Sequence, residues 1–101
     1  MAGGEGMRRA LLVDGMLSGT GIRDPLNGGF IDLADLELSH SLLEAFGVWV
    51  PDYENAHFHG FKPDAVSALD QRGMALARRL AEERPDDDIG YFSNGLMKRL
   101  S

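Results

Sequence analysis

The sequence predicts a small α+β domain, and three observations carry that expectation. Short aliphatic runs near either end of the chain read as strands. Two stretches between them repeat apolar residues at helical spacing. Finally, 101 residues at 44% apolar and 26% charged suffice for one modest core and argue against disorder.

Residues 8–14, RRALLVD, give the first strand; its aliphatic run does not alternate, which fits a strand covered on both faces. Residues 15–30 hold five glycines and a proline, so they form a loop with turns at Asp24-Pro25 and Asn27-Gly28-Gly29. Phe30-Ile31 adds a brief strand, and Asp32 to Leu38 makes a helical turn or an extended lead-in. Ser41-Leu42-Leu43-Glu44 reads as a capping box that opens a first helix over 41–55. Leu42, Phe46, Trp49 and Tyr53 share one of its faces, and Pro51 predicts a kink or restart near Val50. On that face Trp49 is core, unless the proline turns it outward.

Pro63 suits the first position of a second helix, over 63–84, ended by Pro85. Its apolar stripe, Val66, Leu69, Gly73, Leu76 and Leu80, steps by three and four. The charges over 78–88 read as a solvated helix end. A second strand follows at 88–93, and Asn94 caps a short C-terminal helix with Leu96, Met97 and Leu100 on its apolar edge. The two strands would pair in parallel across the helices, with a hairpin from 16–31 or dimerisation completing the thin sheet. Residues 1–6 read as a flexible N-terminus and 7–101 as the single domain.

Composition narrows the function. The absence of cysteine excludes disulfides, thiolate metal sites and thiol nucleophiles, and suits the cytoplasm. The longest apolar run, Ala10 to Val13, is far too short to span a bilayer, and the first residues lack a signal-peptide stretch. A pI near 4.8 argues against binding nucleic acid by neutralising phosphates. The net charge of −6 belongs to one segment. Residues 24–61 contain seven acids and neither lysine nor arginine, whereas the rest of the chain has nine acids and ten bases. Such a field steers a basic partner.

Chemistry-bearing patterns are sparse. The glycine loop lacks the lysine of a phosphate-binding Walker loop and the third glycine of a dinucleotide fingerprint. If extended, His57-Phe58-His59 would point two imidazoles to one side, with Asp52, Glu54 or His40 as further metal ligands. Ordinary surface or half-buried histidines are the simpler reading, and no metal ligand or cofactor is assigned. Ser18 and Ser41 have no histidine–acid constellation, and spacing selects no carboxylate pair, so no catalytic residue is assigned.

From GIRDPLNGGFIDLADLELSHSLLEAF, through the leucine-rich second helix, to DIGYFSNGLMKRL, the chain resembles small acidic bacterial immunity proteins of polymorphic toxin systems. The resemblance covers most of residues 8–100 in overall pattern and rests on no signature motif. It implies a non-enzymatic inhibitor that occludes its toxin, and it transfers no binding residue. From the charge pattern, Asp32, Asp35, Glu37, Asp52 and Glu54 are the candidate partner-binding acids, with Tyr53 or Trp49 as aromatic anchor. They form one face if the two ends of the first helix lie near each other. The expected protein is a cytoplasmic monomer or weak homodimer that binds a basic protein, not nucleic acid or membrane. The alternatives are a small metal-binding or hydrolytic enzyme using His57 and His59, and a nucleic-acid mimic that inhibits a defence enzyme.

Overall fold

The computed structural model describes residues 9–101; the expectations for residues 1–8, including the start of the first strand, lie outside the described residues. Strand β1 (Ala10–Asp14) pairs in parallel with β3 (Asp88–Ser93), setting Leu12 opposite Gly90 and Val13 opposite Tyr91. Two-residue strands close the edges antiparallel: β2 (Ile22–Arg23) beside β1, and β4 (Lys98–Arg99) beside β3. The mixed sheet therefore has the order β2-β1-β3-β4. The glycine loop supplies the predicted hairpin.

Helices α1 (His40–Phe58) and α2 (Pro63–Glu83) pack on each other and on the sheet face carrying Leu11, Val13 and Tyr91. Their facing stripes bury Leu42, Phe46, Trp49 and Tyr53 from α1, and Leu69, Leu76 and Leu80 from α2. Trp49 is core; its indole N–H donates to the Leu69 carbonyl at 2.9 Å, so its polar atom is satisfied inside. The α+β class, both main helices and the second strand are as the sequence predicts.

Three local expectations are corrected. The N-cap of α1 is Ser39, whose hydroxyl oxygen accepts from the Leu42 amide at 3.2 Å. The reciprocal acid is Glu83 at the end of α2, which accepts from the Ser39 amide and hydroxyl, both at 2.6 Å. Glu44 only faces His40 across 3.8 Å at the surface. The helix also runs through Pro51 to Phe58, three residues beyond its expected end. Tyr53, Ala56 and the half-buried His57 pack beyond the proline and hold that last part. Lastly, the C-terminal helix is replaced by a turn and β4. Met97 takes a left-handed φ of 56°, which breaks a helix, and the Leu100 amide donates to the Tyr91 carbonyl at 2.9 Å.

Glycines in the β1–β2 loop serve packing. A Cβ on Gly15 would enter the Tyr53 ring, and one on Gly21 (φ 103°) would lie 2.9 Å from Phe46 Cδ1. The loop is thus pressed against α1, which its reading as a loop with turns does not anticipate.

Candidate functional site

The carboxyl ends of β1 and β3 lie side by side, the usual place for a site in a parallel arrangement. Two buried carboxylates are fixed there. Asp14, the last residue of β1, is 1% exposed. Its Oδ2 accepts from Arg23 Nε at 2.9 Å, and its Oδ1 accepts from the Met16 amide at 3.1 Å and Asn94 Nδ2 at 3.3 Å. The Arg23 guanidinium also lies 5.1 Å from the Phe92 ring centre, so an arginine, an acid and an aromatic lock the outer face of the sheet.

Asp70, in the middle of α2, is 4% exposed. Its Oδ1 accepts from the hydroxyls of Tyr53 at 2.8 Å and Tyr91 at 2.6 Å; its Oδ2 accepts from Ser93 Oγ at 2.6 Å. Tyr53 accepts in turn from the Gly95 amide at 3.0 Å, and Ser93 from the Leu96 amide at 3.1 Å. The network ties α1, α2 and the turn after β3 to one carboxylate. Burial pushes both phenols above their ordinary titration range, and donating to the Asp70 carboxylate raises them further; Tyr53 rises less because the Gly95 amide donates to its oxygen.

Around this end stand exposed apolar side chains from three elements: Met16 and Leu17 after β1, Phe58 ending α1, and Leu96 and Met97 after β3. Phe58 is 76% and Met97 71% exposed. Hydrogen bonds bind their segments together. Gly15 O meets His57 Nε2 at 3.3 Å, the Ser18 amide donates to Glu54 at 3.1 Å, and Asn94 donates to Asp14.

The candidate binding acids do not make a single face. Asp32, Asp35 and Glu37 are exposed before α1, with Asp32 capping a 3-10 turn (Leu33–Leu36). Asp52 and Glu54 follow them by some 13 residues of helix, about 20 Å at 1.5 Å per residue. Two residues apart on a helix, Asp52 and Glu54 also diverge by about 200°. Asp52 meets Arg72 of α2 at 2.8 Å, and Glu54 holds the Ser18 amide. Tyr53 is 0% exposed and bound to Asp70, so it is withdrawn as a surface anchor.

Folding also dilutes the base-free segment. Besides Arg72, α2 lays Arg79 against Ser41 Oγ at 2.7 Å, and Arg84, just beyond its end, meets the Leu36 carbonyl at 3.0 Å. Charges separated along the chain are interleaved in space.

The histidines do not converge either. His57 is helical, half-buried and 4.4 Å from the Phe61 ring, while His59 Nδ1 meets the Asn55 carbonyl at 2.7 Å. The extended geometry that would aim both to one side is absent, and among the described residues no group of three or more histidine, aspartate or glutamate side chains could hold a metal ion. Among the described residues no helix is long and apolar enough to cross a membrane.

Sequence reasoning did not single out Asp14, Asp70 or Ser93, and it read Asn94 only as a helix cap. A signal existed: Asp70 interrupts the stripe of Val66, Leu69 and Gly73, and Asp14 ends a buried aliphatic run. A lone acid on an apolar stripe must find donors inside.

These features define a small α+β domain with a rigid polar centre and an apolar rim at one end. Comparison with protein-family models, curated proteins and solved structures finds no match.

Proposed function

We propose that the chain is a non-enzymatic binding protein that occludes a basic protein partner, in the manner of an immunity-type inhibitor. The observation that carries this reading is the apolar rim of Met16, Leu17, Phe58, Leu96 and Met97. Exposed apolar groups gathered at one end of a domain are characteristic of contact surfaces. Methionine and phenylalanine are enriched in such surfaces, methionine because its flexible side chain adapts to a partner. The net charge of −6 selects a basic partner and accelerates its approach. Asp32, Asp35 and Glu37 contribute to that field from the far end of α1, and contact passes from the acids to the rim. Glu54 and Asp52 support the loop and the helix pair. The lack of cysteine suits a reducing cytoplasm, where the protein acts as a monomer or weak homodimer.

The test starts from a pull-down at low and high salt, followed by kinetics on the captured partner. Phe58→Ser combined with Met97→Asp is expected to raise the dissociation rate about tenfold or more. Reversing Asp32, Asp35 and Glu37 to lysine is expected to slow association and flatten its salt dependence, leaving dissociation unchanged. Unchanged dissociation in the rim variant, with loss of binding in the acid variant, would move the contact to the other end of α1.

A further inference from the structure

Beside the rim a cleft of about 360 Å³ opens between the first half of α2 and the C-terminal turn and strand. Its walls are largely apolar, with Phe61, Val66, Met74, Leu96 and Leu100 among them, and Asp70 borders it from α2. The volume falls in the range of small-molecule sites, which pair apolar walls with a few fixed polar groups.

The electrostatics of that polar group are uneven. A carboxylate offers about four acceptor positions. Three of those on Asp70 are filled: two on Oδ1 by Tyr53 and Tyr91, and one on Oδ2 by Ser93. All three donors are neutral hydroxyls, and among the described residues no lysine, arginine or histidine forms an ion pair with Asp70. The contrast with Asp14, which holds Arg23, is direct. Asp70 therefore has only neutral donors around it, with an acceptor position open on the oxygen bound to Ser93. A cation reaching it gains a charge-assisted hydrogen bond little screened by water.

We infer that this cleft binds a small primary alkylamine, its ammonium donating to Asp70 Oδ2 and its chain lying between Phe61, Val66 and Leu96. An alcohol of the same length offers the apolar contact and a donor but no charge; a fatty acid brings charge of the wrong sign. The inference stands apart from the protein-partner reading, since it rests on Asp70 and the cleft walls, and the rim contributes Leu96 alone.

The probes are n-hexylamine, n-hexanol and hexanoate, titrated into the full chain at neutral pH by calorimetry and by amide NMR. Saturable one-to-one binding of hexylamine is expected, at least about tenfold tighter than hexanol, with no binding of hexanoate. The shifted amides should include Gly95 and Leu96. Leu96→Trp, at an exposed position, should fill the mouth and abolish binding. Asp70→Asn should reduce the amine to the affinity of the alcohol; if that variant does not fold, Leu96→Trp decides. Equal affinity for amine and alcohol, an absence of saturation, undiminished binding to the Leu96→Trp variant, or shifts confined to another part of the chain would overturn the assignment.

Discussion

Replacing Tyr91 with phenylalanine removes one oxygen from the Asp70 network and leaves the ring packed where it is. The lost bond is short, 2.6 Å, fully buried and made to a carboxylate. Hydrogen bonds to charged groups contribute about 1.5–3 kcal/mol. A domain of this size has a net stability of about 5–15 kcal/mol, so the variant should stay folded at pH 7 with a clearly lower urea midpoint. A second effect appears at high pH and has the opposite sign. Both tyrosines of the chain titrate above their usual value when folded, chiefly because burial disfavours the phenolate. Their neutral form is stabilising below the unfolded value near 10, and that contribution is lost as pH rises beyond it, because the unfolded chain then releases protons that the folded chain keeps. Each such tyrosine should lower stability by about 1.4 kcal/mol per pH unit in that range. Tyr91→Phe should therefore show about half of the tyrosine-derived alkaline slope, so its deficit against wild type shrinks above pH 10. Urea denaturation followed by circular dichroism from pH 7 to 11 measures both quantities. A variant as stable as wild type at pH 7, or one that loses stability as steeply above pH 10, would refute the role given to this hydroxyl.

Two further pairs of substitutions separate position from residue type. Ser39→Ala should cost about 1 kcal/mol by removing the cap of α1. Ser41→Ala should stay within about 0.5 kcal/mol, as surface changes do; comparable losses at both positions would contradict the cap assignment. Hydrogen bonds from the Ser39 hydroxyl and amide hold Glu83 below its usual titration range. Their stabilisation is present above the unfolded value and lost as pH falls through the folded one, so Ser39→Ala should also weaken the acid dependence of the urea midpoint. Gly73→Ala puts a Cβ into the Tyr91 ring and 2.7 Å from Trp49 Cζ2, and should destabilise by about 1–3 kcal/mol despite its better helix propensity. Gly47→Ala, with nothing within 4 Å, should stabilise by about 0.5–1 kcal/mol. Thermal melts decide both, and a stable Gly73→Ala would deny the close helix–sheet approach.

What was legible in the sequence follows the range of the forces involved. The second helix carries its signals locally, with Pro63 at its start, Pro85 beyond its end and a stripe between them. It appears within one residue of the expected bounds. The first helix was misread at its start because two serines flank His40. The choice between them is made by Glu83, 44 residues away. Pro51 is tolerated because residues beyond it are buried against the rest of the fold, a tertiary effect that a local rule cannot register. The candidate acids do not share one face for a related reason. Chain order kept arginines away from residues 24–61, and the antiparallel return of α2 brought Arg72, Arg79 and Arg84 back alongside them. The polar centre at Asp70 joins positions 53, 70, 91 and 93, and no spacing along the chain encodes that meeting.

The parallel pairing of β1 with β3 has a consequence for how the molecule is made. The two central strands are separated by 73 residues, from Asp14 to Asp88, and the Asn94–Asp14 bond closes 80. A loop of that length must close before the sheet gains its first central ladder, which places folding on the slow side for so small a domain. During synthesis the first strand leaves the ribosome with only the two-residue β2 to pair with and waits for its parallel partner β3. Until residue 93 emerges, the helices can form an α-helical hairpin but have no sheet to cover. Nascent chains halted before Asp88 should remain protease-sensitive throughout, and the domain should acquire resistance in a single late step.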